Sequence, residues 1–376
     1  MWVRMLALGL ESGRVMVVDE ATGEEKWAVQ AHSLGSLVHV VMSPNGMYVA
    51  SVGVDDDDCK IWDTASGVLH RVVATHDGTG SCICEVDFAL TGRRVLEDRC
   101  PVVAHTAVMR AVAFSPCGQR LATRDFDGVL ILWDARTGEA EHRMRCTAPP
   151  LSQPHSRAIA FTADGARLAS GGGDGVEVFN AMTGALLRTF GGVGCLLCMS
   201  FSPTAISMLA TASIYVDDGL RVWNIDSGEM IREIEGCHPR VAIFSPDGRT
   251  IASVFAASPA SEGDVLLMDA ESGEMRLRMV GHTRPINAAS WCPYDGSKLA
   301  SGGQDGTCKV WDSSTGELLR SINLGRPVYS MVWGRDWVRD TQEAMAFAMG
   351  HHPRLGAESQ VLELEAGVVR MILDRV

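Results

Sequence analysis

Histidine, serine and aspartate recur in one order along this chain, and no other combination in it looks so much like chemistry. His282, Ser301 and Asp305 form one set, His32, Ser51 and Asp56 a second, and His105, Thr123 and Asp127 a third with threonine in place of serine. A serine activated by histidine and aspartate is the arrangement of acyl transfer. That chemistry needs a nucleophile presented on a sharp turn, and no Gly-x-Ser-x-Gly elbow is present. The sets also repeat, whereas an active site occurs once. They read as structural, and no catalytic residue is assigned.

Other groupings fail on spacing. Asp55 to Asp58 offers carboxylates for a hard cation, but the Gly and Glu of a calcium loop are missing from their places. Cys195 and Cys198 are spaced like zinc ligands without a second pair at finger distance. They lie in a strand-like run and read as core thiols. His351-His352 precedes Pro353 in an expected loop, and Gly171-Gly172-Gly173 opens a turn between strands, where a phosphate loop would open a helix. No metal site and no cofactor are expected.

The elements that place these residues are short strands. Ile286 to Trp291, Lys298 to Ser301, Cys308 to Trp311 and Leu318 to Ile322 are separated by Pro293-Tyr294-Asp295-Gly296, Gln304-Asp305-Gly306 and Ser314-Thr315-Gly316. Strands divided by Pro, Gly and Asp turns every 8–12 residues or so signal an antiparallel all-β fold. The pattern returns along the chain. Ser115-Pro116-Cys117-Gly118 and Ser245-Pro246-Asp247-Gly248 repeat the first turn, and Thr137-Gly138 and Ser227-Gly228 the last.

From Gly281 to Asp312 the chain reads GHTRPINAASWCPYDGSKLASGGQDGTCKVWD. The Trp-Asp close recurs at Trp62-Asp63 and Trp133-Asp134, with weaker forms at Val18-Asp19, Phe179-Asn180, Trp223-Asn224 and Met268-Asp269. In these residues the chain resembles the WD-repeat family, whose units of about 40–45 residues each build one propeller blade. The resemblance implies a single β-propeller spanning 1–376. Complete units are expected at 32–75, 105–153, 154–191, 192–236, 237–280, 281–324 and 325–376, and incomplete ones at 1–31 and 76–104. Eight blades is the expected count, with seven and nine left open.

The resemblance also implies a role for the repeated polar residues. In each blade a His ring would bridge a turn Asp and a strand Ser or Thr, which in turn meets the Trp indole. The expected tetrads are His32, Ser51, Asp56, Trp62; His105, Thr123, Asp127, Trp133; and His282, Ser301, Asp305, Trp311. In the unit of His155, Ser170 and Asp174 the aromatic is Phe179, which has no N–H to give.

Composition bounds the function. Apolar residues make up 46% and charged residues 21%, as in a folded soluble protein. The net charge of −13 opposes binding to a phosphate backbone, so nucleic acid is not expected as a partner. The 11 cysteines lack framework spacing and suit a reducing compartment, so the cytoplasm is expected, with the nucleus left open. The apolar opening around Arg4 reads as a strand, and no apolar run reaches the roughly 18 residues of a membrane span.

A propeller without a catalytic constellation is expected to be a non-catalytic scaffold that binds protein or peptide partners and helps assemble a multiprotein complex. The turns leading into first strands, and those between second and third strands, form the face the resemblance implies. Phe126, Tyr215, Arg284, Arg326 and Tyr329 are the candidate contact residues there, with Met109 and Arg110 placed similarly. A second reading rests on Trp133-Asp134-Ala135-Arg136. It is similar to the Trp-Asp-x-Arg box of WD-repeat substrate receptors for cullin-type ubiquitin ligases, with Arg136 as the adaptor contact.

Overall fold

A computed structural model describes residues 5–34, 36, 38–44, 46–53, 58–73, 75–76, 82–83, 105, 109–135, 137–146, 159–172, 175–191, 195–214, 219–234, 239–255 and 263–334. All lie in the unit Met1–Arg335; the second unit, Asp336–Val376, falls outside the described residues.

The described strands form seven four-stranded antiparallel sheets. Blade 2 comprises Val38–Met42, Tyr48–Gly53, Cys59–Asp63 and Leu69–Val73, and blade 3 comprises Met109–Phe114, Arg120–Asp125, Val129–Asp134 and Ala140–Arg145. Blade 4 runs from Ile159–Phe161 to Leu186–Gly191, blade 5 from Cys195–Phe201 to Met230–Ile234, blade 6 from Pro239–Phe244 to Met275–Val280 and blade 7 from Ile286–Trp291 to Leu318–Asn323. Blade 1 is assembled from both ends of this unit. Met5–Leu10, Arg14–Asp19 and Glu25–Gln30 supply three strands, and Val328–Trp333 pairs antiparallel with Met5–Leu10 as the fourth, with Leu6 opposite Trp333.

Sequence and burial agree strand by strand. Third strands such as Val129–Asp134 are covered on both faces by neighbouring blades, so they read as unbroken apolar runs and are buried almost throughout. Fourth strands such as Ala140–Arg145 lie outermost and alternate with polar residues. The core therefore sits in the seams between blades. One cluster joins Ala50, Val52 and Ile61 of blade 2 to Met109, Leu121 and Trp133 of blade 3.

That seam corrects the expected count of eight blades to seven. The unit expected at 76–104 would have to stand between blades 2 and 3, yet these two pack directly on one another. A Cβ on Gly138 of blade 3 would lie 2.8 Å from the Arg71 Nη1 of blade 2, much as one on Gly67 of blade 2 would lie 2.7 Å from the Trp27 ring of blade 1. Both glycines have positive φ, 77° and 69°, in turns that press against the preceding blade. Among the described residues, the stretch after blade 2 forms only a two-stranded ladder, Thr75–His76 with Cys82–Ile83. The physical reason is in the sequence. The stretch lacks the Trp-Asp close that marks the third strand of the other units. The unit expected from 325 onward likewise contributes one strand among the described residues, which completes blade 1.

Candidate functional site

The repeated polar residues sit inside the blades. In blade 7 the His282 Nδ1 lies 2.9 Å from the Asp305 Oδ2, and its Nε2 lies 2.8 Å from the Ser301 Oγ. Trp311 donates its indole N–H to the same Oγ at 2.8 Å. Burial pushes the His282 pKa down, against the pull of Asp305, so the ring is neutral at pH 7. Burial alone would raise Asp305, but hydrogen bonds from Thr307 and His282 outweigh it and hold the carboxyl below its usual range. A neutral ring can donate from Nδ1 to Asp305 while Ser301 donates to Nε2, which satisfies every member. Ser301 is fully buried and its oxygen already accepts the Trp311 proton. No substrate carbonyl can reach it, so the triad-like order carries no hydrolytic chemistry.

Blade 3 makes the same set with a different aspartate. His105 reaches Thr123 Oγ1 at 2.6 Å, and Trp133 donates to that oxygen at 2.7 Å. The carboxylate facing His105 Nδ1 at 3.0 Å belongs to Asp125, and Asp127, expected there, is exposed. Blade 7 explains how. Its counterpart of Asp125 is Gly303, and a Cβ on Gly303 would lie 2.8 Å from His282 Nδ1 and 2.9 Å from Asp305 Oδ1. Two backbone positions thus aim at one space, and a carboxylate from either can fill it. Glycine occupies the first when the second is used. Aspartate in the glycine slot was the signal in the sequence.

In blade 2, His32 Nε2 is 2.8 Å from Ser51 Oγ, which accepts from Trp62 at 2.9 Å. The acid beside His32 is Asp58, 3.6 Å from Nδ1 and 3.2 Å from Lys60 Nζ. Burial raises the Asp58 pKa, but His32 and Lys60 together bring it below the usual carboxylate value. Asp56, expected in this place, lies outside the described residues. So do His155 and Asp174 of blade 4; Ser170 of that blade accepts from the Cys146 thiol at 3.3 Å.

The candidate contact residues occupy two separate sectors. Phe126, 37% exposed, stands in the turn between the second and third strands of blade 3, beside Asp127. Arg284 is exposed in the turn into blade 7, Arg326 is exposed in the turn into the closing strand, and Tyr329 follows on that strand, half-buried. Met109 is fully buried, so it belongs to the core and not to a contact face. Tyr215 and Arg136 lie outside the described residues. Trp133 of the Trp-Asp-x-Arg box is committed to its tetrad.

The structure adds a group that sequence reading missed. Arg240 Nη1 donates to Asn287 Oδ1 at 2.8 Å, Gln304 Nε2 reaches the same oxygen at 3.4 Å, and Asn287 Nδ2 donates to the Val328 carbonyl at 3.1 Å. The charges of Arg240 and Glu11 act on Tyr329. These residues begin the inner strands of blades 6, 7 and 1, or lie in turns beside them, and meet where neighbouring blades pack. Among the described residues, no three His, Cys, Asp or Glu side chains are placed to hold a metal ion, and no helix is long and apolar enough to cross a membrane.

Comparison with known proteins agrees with this geometry. The model of the WD domain, G-beta repeat, matches residues 23–63, 99–134 and 273–312. These three stretches carry the WD-repeat signature. WD repeat-containing protein 1 of Gallus gallus is 28% identical over 248 residues, covering 63% of this chain and 38% of that protein. The APC/C activator protein CDC20 of Saccharomyces cerevisiae is 28% identical over 217 residues, 56% of this chain and 33% of the relative. Nuclear distribution protein PAC1 of Arthroderma benhamiae is 31% identical over 121 residues, 30% and 26% of the two chains. This WD-repeat chain thus spans well under half the length of these curated relatives.

Proposed function

We propose that this WD-repeat propeller is a non-catalytic platform that binds protein or peptide partners through the turns leading into its inner strands and those joining second to third strands. One observation carries the reading. The His and Ser or Thr residues that most resemble catalytic groups, His282 and Ser301 with their counterparts in blades 2 and 3, are buried and bound to one another, and each His ring faces a carboxylate. What remains for function is the set of side chains that the repeat does not commit, held on stiff sheets. Phe126, Arg284, Arg326 and Tyr329 are such residues, and aromatic and Arg side chains carry most interface energy, with hot spots of about 2 kcal/mol or more. Relatives named as an activator protein and as a nuclear distribution protein support an interaction role in general terms and do not name a partner for this chain.

The test is a triple substitution, Phe126→Ala, Arg284→Ala and Tyr329→Ala. The expected outcome is a melting temperature close to the parent's and reduced recovery of bound proteins in affinity purification with mass spectrometry. Recovery of the same proteins in the same amounts would reject this face.

A further inference from the structure

Within the proposed binding face, cationic groups collect in the sector of blades 6, 7 and 1. Arg284 and Arg326 are exposed in consecutive turns, and neither guanidinium makes a hydrogen bond or ion pair among the described residues. The backbone of both turns is packed tightly. The Arg284 carbonyl oxygen lies 2.4 Å from where a Cβ on Gly263 would stand, and the Arg326 nitrogen lies 3.1 Å from that of Gly306. Their charges are therefore carried on fixed supports. Inward of them, Arg240, Asn287 and Gln304 present a guanidinium and two amides joined in one network across blades 6 and 7. Burial, then the nearby Glu11 carboxylate, raise the Tyr329 pKa against the pull of Arg240, so its phenol stays a hydrogen-bond donor at neutral pH.

Among the described residues, acidic groups in this sector are few, and one is already engaged. Asp305 accepts from His282, Thr283 N and Thr307, which among these residues leaves Glu11 as the exposed carboxylate beside the cluster. Blade 3 carries the opposite character on the same face, with exposed Asp127 next to Phe126. A cationic sector on a chain of net charge −13 is a local reversal of the protein's field. We propose that the sector formed by Arg240, Arg284, Arg326, Asn287 and Tyr329 docks a carboxylate-rich segment of a partner protein. The planar fork of Arg pairs with carboxylates in two-point contacts, Asn287 holds the Arg240 guanidinium in place, and Tyr329 adds a donor at the inner end. A nucleic-acid strand is the competing polyanion. Beyond a patch this small it would meet the negative field of the rest of the chain.

This inference rests on the platform reading, and the experiment separates the two. The full chain is titrated into a fluorescein-labelled glutamate-rich peptide, the same peptide with Gln for Glu, and a labelled oligothymidylate, with anisotropy as readout. The glutamate peptide is expected to bind and to weaken steeply as NaCl is raised. Arg284→Ala with Arg326→Ala is expected to lose at least roughly tenfold in affinity at an unchanged melting temperature. Arg143→Ala with Arg145→Ala, which removes the same charge from the exposed outer strand of blade 3, should bind as the parent does. The Gln peptide should not bind. Absence of glutamate-peptide binding overturns the proposal. Equal loss in both double variants, or tighter binding of the oligothymidylate, overturns it as well. If the peptide fails while the Phe126, Arg284 and Tyr329 triple variant still loses cellular partners, the acidic specificity falls and the platform reading stands.

Discussion

Asp125 and Asp127 are two residues apart and chemically identical, yet they have opposite duties. Asp125 is fully buried, pairs with His105 and accepts the Val129 N–H at 2.7 Å, whereas Asp127 is exposed. Removing Asp125 would strand a buried imidazole N–H and a backbone N–H, and hydrogen bonds to a charged acceptor are worth about 1.5–3 kcal/mol each. Asp125→Ala is therefore expected to lower stability by at least about 2 kcal/mol, and Asp127→Ala to change it by less than about 0.5 kcal/mol. Urea denaturation of the two variants decides it, and the reverse ranking would reject the assignment. At this scale the sequence was legible in kind and blurred in position. The WD-repeat resemblance placed His, Ser or Thr, and Trp correctly, because each has one place in the blade. The acid was not, because positions 303 and 305 in blade 7 aim at the same space.

At the scale of elements, the seams between blades carry the stability, and one seam departs from the repeat on both sides. Arg124 of blade 3 is fully buried, and its guanidinium nitrogens meet no nitrogen or oxygen acceptor among the described residues. Its counterparts in blades 2, 5 and 7 are Val52, Ala212 and Gly302. Burial pushes its pKa down, while Cys146, Glu177 and Asp125 act to keep the charge. Glu177 of blade 4, also fully buried, stands where blades 2, 5 and 7 have Lys60, Arg221 and Lys309. The two departures have opposite sign and meet across one seam. Glu177→Lys alone should be strongly destabilising, since it sets two like charges in a buried place. Adding Arg124→Val should restore part of the loss, with a coupling of about 0.5–3 kcal/mol in a double-mutant cycle of melting curves. Strict additivity would show that the residues do not sense each other. This pairing could not be read beforehand, because it depends on which blades are neighbours.

For the whole molecule, closure is the governing fact. Val328–Trp333 joins Met5–Leu10 in blade 1, and Lys298 of blade 7 reaches the buried Glu20 of blade 1 at 2.8 Å. The ring closes with seven blades, because Gly138 rests on Arg71 without anything between them. Replacing residues 77–104 with a short Gly-Ser linker is therefore expected to leave a single cooperative melting transition near that of the parent. Loss of that transition would show that the stretch supports the ring. Local pattern established the class of fold and the strand-turn rhythm, and the WD-repeat resemblance implied the commitment of His, Ser and Trp to the scaffold. Those follow from local spacing, from turn chemistry and from the need to pair buried polar groups. Only the tertiary structure decided the blade count, the aspartate that completes the blade 3 tetrad, and the meeting of Arg240, Asn287 and Tyr329. Each depends on which blade stands next to which, and on how the two ends of the propeller join. Local pattern sets neither, because every blade obeys the same rhythm.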